Sequence, residues 1–173
     1  MKSYKPKLFE ITLFPVLGGI MLVSKLVTDF LPNIHLLGVL TAVYTLTFGK
    51  KALIPIYIYV FLNGVVSGFN SWWVPYLYVW TVLWLFIMLI PKNLPEKAYI
   101  FIYPAVTGLH GLLFGTLYSP AQAIMFGLNF KETVAWIIAG LPFDLIHAGG
   151  NTILGFLIIP LTKSLKKAIS RLS

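Results

Sequence analysis

The stretch Gly140-Leu-Pro-Phe-Asp-Leu-Ile-His-Ala-Gly-Gly-Asn151 sets a carboxylate, an imidazole and a carboxamide inside a long apolar run. Asp144, His147 and Asn151 are spaced i, i+3, i+7, so a helix would carry them on one face. What that face meets depends on the solvent around the segment, and composition decides the solvent. Hydrophobic residues make up 58% of the 173-residue chain and charged residues only 10%, against about 25% charged in soluble domains. The chain is expected to be an all-α integral membrane protein, a single domain over 1–173.

Working outward, six apolar segments are predicted as transmembrane helices, at roughly 8–30, 34–48, 52–69, 72–90, 98–118 and 133–160. The turn chemistry between them lies at Leu31-Pro32-Asn33, Gly49-Lys50-Lys51, Gly68-Phe69-Asn70-Ser71, Pro91-Lys92-Asn93-Leu94-Pro95 and Ser119-Pro120. The second segment is short for a full crossing, which suggests a tilted or partly interfacial helix. Cations alternate by connection. Lys2, Lys5 and Lys7, then Lys50 and Lys51, then Lys92 and Lys97, then Lys163, Lys166, Lys167 and Arg171 mark one side; only Lys131 marks the other. The positive-inside rule then places both termini in the cytoplasm. The net charge of +8 is thus a topology signal, and no nucleic-acid partner is expected. The tail 161–173 alternates apolar and basic residues at helical spacing, Leu161, Leu165, Ala168, Ile169 and Leu172 forming the apolar side. It either lies on the inner membrane surface or against a partner, or ends the last helix in solvated charge.

Under this topology Asp144 lies about 16 Å into the last helix, near mid-bilayer. A carboxylate there costs roughly 2.5–3.5 kcal/mol on insertion scales and should face protein or a watery cavity. His110 and Asn63 fall at similar depth. The polar face is then either the floor of a pocket or a cluster tying the last helix to the third and fifth. At the outer end, Asn70, Trp72, Trp73, Tyr76, Trp80 and Trp84 make an aromatic-rich stretch. Interfacial anchoring accounts for Trp72 and Trp73, whereas Tyr76, Trp80 and Trp84 recur every fourth residue and suit the wall of an apolar small-molecule site or a packed core. Asn33 and His35 in the first outer turn, with Tyr118 and Gln122 in the last, are expected at its rim. Gly111-xxx-Gly115 offers a close helix approach.

Enzyme signatures are missing. Gly49-Lys50-Lys51 has no phosphate-binding glycine pattern, no Gly-x-Ser-x-Gly or His-Glu-x-x-His occurs, and there is no cysteine. His35 is expected at the outer edge, far in depth from His110 and His147, so no metal site is expected.

Together, Leu31-Pro32-Asn33-Ile34-His35-Leu36, Phe48-Gly49-Lys50-Lys51-Ala52-Leu53, Trp72-Trp73 and Pro142-Phe143-Asp144-Leu145-Ile146-His147 resemble the substrate-binding S components of energy-coupling factor (ECF) transporters, and most nearly those assigned to cobalamin or to queuosine precursors. The resemblance implies a vitamin-binding subunit of a prokaryotic plasma membrane, with no activity as an enzyme. It implies capture of ligand from outside, docking on a transmembrane coupling protein with two cytoplasmic ATPases, and toppling within the bilayer to release ligand inside. No bound catalyst is implied; a cobalamin is the transported ligand expected first. A queuosine precursor or another small vitamin is the alternative, and a membrane scaffold that transports nothing is the second. An aromatic-rich, weakly charged outer half suits a corrinoid, while Asp144 suits a cationic precursor as counter-ion. The expected binding residues are Asn33, His35, Asn70, Trp72, Trp73, Tyr76, Trp80, His110, Tyr118, Asp144, His147 and Asn151.

Overall fold

A computed structural model describes residues 8–171, so Lys2, Lys5, Lys7 and Leu172 lie outside the described residues. Among these residues every regular element is helical: α1 (Leu8–Thr28), α2 (Leu37–Phe48), a 3₁₀ turn at Gly49–Ala52, α3 (Leu53–Ser67), α4 (Tyr76–Leu89), α5 (Glu96–Leu112), α6 (Phe114–Phe126), α7 (Phe130–Gly155) and α8 (Ile158–Ile169). Five continuous stretches are long and apolar enough to cross a membrane, and two of them, 37–67 and 96–126, run through a local break. Their outer faces carry large exposed apolar side chains, among them Val27, Phe61, Leu89, Phe101, Ile124 and Ile153. Such a continuous apolar exterior is compatible with a lipid surround.

The 37–67 stretch reverses direction at Gly49, whose φ of 59° suits a residue without a Cβ. On one side of the turn, α2 follows α4 in the same sense. His35 stands by Trp80, the Trp84 indole N–H donates to the Gly49 carbonyl at 3.0 Å, and Thr45 and Leu46 line one cavity with Ile87 and Ile90. On the other side, α3 runs against α4: the Trp73 indole reaches the Val60 carbonyl at 2.8 Å, and the Tyr57 hydroxyl reaches the Leu77 carbonyl at 2.6 Å.

The short second helix is central rather than interfacial. Leu37, Val39, Ala42, Val43 and Tyr44 are buried, and the helix packs against α4, α5, α7 and α8. Twelve residues rise only about 18 Å. The irregular connection 29–36 completes the path by folding inward beside α7 instead of capping the outer edge. Only 33–36 turn into the protein, where surrounding groups allow irregular backbone, while 29–32 stay exposed.

Two expected boundaries move. Ser119-Pro120 is no break, because Pro120 lies inside α6. The Thr116 carbonyl, deprived of its partner by the proline, accepts the Ser119 hydroxyl instead at 2.9 Å. The turn comes at Gly127-Leu128-Asn129. Gly127 adopts the left-handed conformation (φ 65°), and Asn129 with Glu132 forms a reciprocal capping box for α7. The long last segment, expected as 133–160, ends at Gly155, and α8 follows as a separate amphipathic helix that buries Ile158 and Thr162.

The basic connections gather at one end. Lys51 pairs with the buried Glu10 of α1 at 2.6 Å, Lys163 of α8 with Glu96 of α5 at 3.1 Å, and Gly49 lies near Pro91 and Lys92.

Candidate functional site

The helix of the opening stretch is α7, and its polar face is buried as the spacing predicts: Asp144, His147 and Asn151 are all 5% exposed or less. Their partners differ. The α5–α6 stretch breaks at Leu113, leaving the amides of the first turn of α6 without helical acceptors. Asp144 supplies one: the Gly115 N–H lies 3.1 Å from each carboxylate oxygen. The helix dipole favours an anion at that position. Gly115 is required there, since a Cβ would lie 2.5 Å from Asp144 Oδ2. One turn before it, Gly111 sits against the His147–Ala148 backbone, so the Gly-xxx-Gly spacing is the seam between α5–α6 and α7.

Asn151 is a tie. Its side-chain amide donates to the Thr107 carbonyl at 3.3 Å, and its Oδ1 abuts Gly38 of α2. The Thr107 hydroxyl, shared with the Tyr103 and Pro104 carbonyls of its own helix, lies 3.2 Å from the Asn151 backbone carbonyl. The cluster therefore joins α7 to α5, α6 and α2 rather than to α3.

His147 is different. Its ring meets that of His35 at 4.9 Å between centroids and that of Phe114 at 4.8 Å. The expectation that His35 lies at the outer edge, remote from the other histidines, is corrected by this contact. The inward fold of 29–36 carries it to the centre.

Trp80, fully buried on α4, is the hub. The rings of His35, Tyr59, Tyr76, His110 and Phe114 all lie 5.6–6.3 Å from it. Around this hub, buried polar atoms have no partner within the protein: Trp80 Nε1, Tyr59 Oη, His35 Nδ1, His110 Nδ1 and His147 Nε2; both amide atoms of Asn63, one turn beyond Tyr59, and Asn151 Oδ1 are likewise unpartnered. His110 Nε2 is 3.1 Å from the Val79 carbonyl and so donates; in the neutral ring its Nδ1 is then an acceptor. Unpartnered buried donors and acceptors cost about 1–3 kcal/mol each, and native folds keep few of them. Tyr59 and Asn63, one turn apart on α3, are missing from the expected site. Their i, i+4 spacing within an apolar helix was the available signal.

Tyr76 and Phe114 divide the hub from a cavity of about 400 Å³, which Asn33, Gly115, Tyr118, Trp136 and Asp144 also line. Tyr118 is stacked on Trp136 and its hydroxyl donates to the Trp72 carbonyl. Trp72 packs on Tyr76. Trp73, in contrast, is occupied with Val60 and Phe69, and Asn70 is exposed in the 68–75 connection, where its carbonyl accepts the Trp73 N–H. Of the twelve expected residues, Asn33, His35, Tyr76, Trp80, His110, Tyr118, Asp144 and His147 thus gather at the hub and cavity. Trp72 supports them, Asn151 ties helices beneath them, and Asn70 and Trp73 stand apart.

Among the described residues no three His, Asp or Glu side chains converge in a metal-holding group. Comparison with protein families, with curated proteins and with solved structures finds no match to the chain.

Proposed function

We propose that the chain is a substrate-binding membrane subunit of the ECF S-component kind, with six helices crossing a prokaryotic plasma membrane and both termini cytoplasmic. It captures a small, planar, hydrogen-bonding molecule from the outer side. The observation that carries this reading is the ring of unpartnered polar atoms around Trp80, divided by the Tyr76 and Phe114 rings from an aromatic-lined cavity on their other side. A few polar groups within aromatic walls are the usual make-up of a small-molecule site. The irregular 29–36 connection adds support, since broken backbone within a membrane bundle commonly marks a binding site.

Volume bears on the substrate. A cavity of about 400 Å³ accommodates a single heterocycle of the queuosine-precursor or small-vitamin kind. A corrinoid is several times larger and would extend well beyond the residues that line it. We therefore place the small heterocycle first and the corrinoid second. Either ligand would move inward on a coupling protein driven by two cytoplasmic ATPases, since the chain has no nucleotide motif of its own.

Calorimetric titration of the purified chain with a deazaguanine precursor, a panel of small vitamins and cobalamin tests the reading. Saturable heat with one small heterocycle supports it. A protein that stays pink after desalting from cobalamin would move the assignment to the corrinoid. Absence of any binding, together with no co-purifying ATPase module, would leave the scaffold reading. That second reading has its own support in Asp144 and in the Asn151 side-chain N–H, whose hydrogen bonds join helices.

A further inference from the structure

At the basic end, a groove of about 200 Å³ runs between α5 and α8. Thr162, Lys163 and Lys166 line it from α8, and Glu96, Tyr99 and Tyr103 from α5. It adjoins a second cavity of about 390 Å³ that shares both tyrosines and adds Lys92. The tyrosine rings are stacked at 5.4 Å, and the Tyr99 hydroxyl is fixed on the Pro91 carbonyl at 2.9 Å, so this wall is rigid.

Two features go unexplained by packing. The Thr162 hydroxyl has no partner within the protein although the residue is only 7% exposed. Charge is also lopsided: Lys163 and Lys166 line the groove and Lys92 the adjoining cavity, against one lining carboxylate, Glu96, which Lys163 already pairs with. The rest of the groove is apolar, walled by Leu46 and Ile159.

We propose that this groove seats the headgroup phosphate of an anionic phospholipid. Lys166 and Lys92 supply the counter-charge, the Thr162 hydroxyl donates a hydrogen bond, and the start of the acyl chains lies against the apolar wall of Leu46 and Ile159. That apolar wall favours a lipid over a soluble anion, since lysines beside an apolar groove match both halves of a lipid. This inference needs the membrane setting but is independent of what the Trp80 hub binds.

The test is native mass spectrometry of the full chain released from vesicles containing equal amounts of phosphatidylglycerol and phosphatidylcholine. Phosphatidylglycerol should be retained about fivefold or more over phosphatidylcholine, since each cation near an anionic surface contributes about 1 kcal/mol. Lys166→Gln should lower that retention about fivefold, and Thr162→Val should lower it measurably with the thermal midpoint unchanged. Lys131→Gln, at the far end of α7, should leave it intact. Equal retention of the two lipids would overturn the proposal. So would the same loss in Lys131→Gln as in Lys166→Gln, or displacement of the lipid by inorganic phosphate.

Discussion

Asp144 illustrates how one residue serves two demands. A carboxylate deep in an apolar bundle is costly unless something holds it, and the broken start of α6 offers the amide that does. Because Gly115 must be bare for that contact, Gly115→Ala is expected to lower stability by about 1–3 kcal/mol. Scanning fluorimetry in detergent would read this as a clear fall in midpoint, and an unchanged midpoint would refute the capping role. Trp80→Phe separates structure from binding in a way that the glycine cannot. It keeps most of the ring contacts and removes a donor that has no protein partner. Stability should change by less than about 1 kcal/mol, while affinity for the small heterocycle falls about three- to tenfold, the worth of one neutral hydrogen bond. A large loss of stability with unchanged affinity would instead make the indole a packing element.

At the scale of elements, the α5–α7 seam rests on small residues. A Cβ at Gly111 would lie 2.9 Å from the Ala148 amide nitrogen, whereas one at Gly149 would meet nothing within 4 Å. Gly111→Ala should therefore cost about 1–3 kcal/mol through overpacking. Gly149→Ala should be neutral or stabilising by up to about 1 kcal/mol, and equal midpoints for the two variants would contradict the seam. The same contrast shows what sequence conveys. The apolar runs, the shared face of Asp144, His147 and Asn151, and the Gly111-xxx-Gly115 approach are local patterns, and they were legible. Which neighbour each would meet is not local. His35 reaches His147 only because 29–36 folds inward, and no periodicity encodes that path. Pro120 reads as a breaker until Ser119 is seen to satisfy the carbonyl it frees. Asn129 and Glu132 were a readable capping signal, yet the proline drew the boundary away from them.

For the whole molecule, the decisive question is whether 37–67 crosses once or twice. A single 31-residue crossing would make five spans, and would set the 29–36 and 68–75 connections on opposite sides of the membrane. The opposed senses of α2 and α3 against α4 argue for a reversal at Gly49, which returns both connections to one side. The chain carries no cysteine, so single cysteines can be introduced without a background. Phe30→Cys and Ser71→Cys, both at exposed positions, should react with a membrane-impermeant maleimide from the same side of intact cells. Lys50→Cys and Lys166→Cys should react only after lysis. Labelling of Phe30→Cys and Ser71→Cys from opposite sides would establish five spans. It would also break the link between the outer aromatic connections and the inward loop that carries His35, on which capture from the outer side rests.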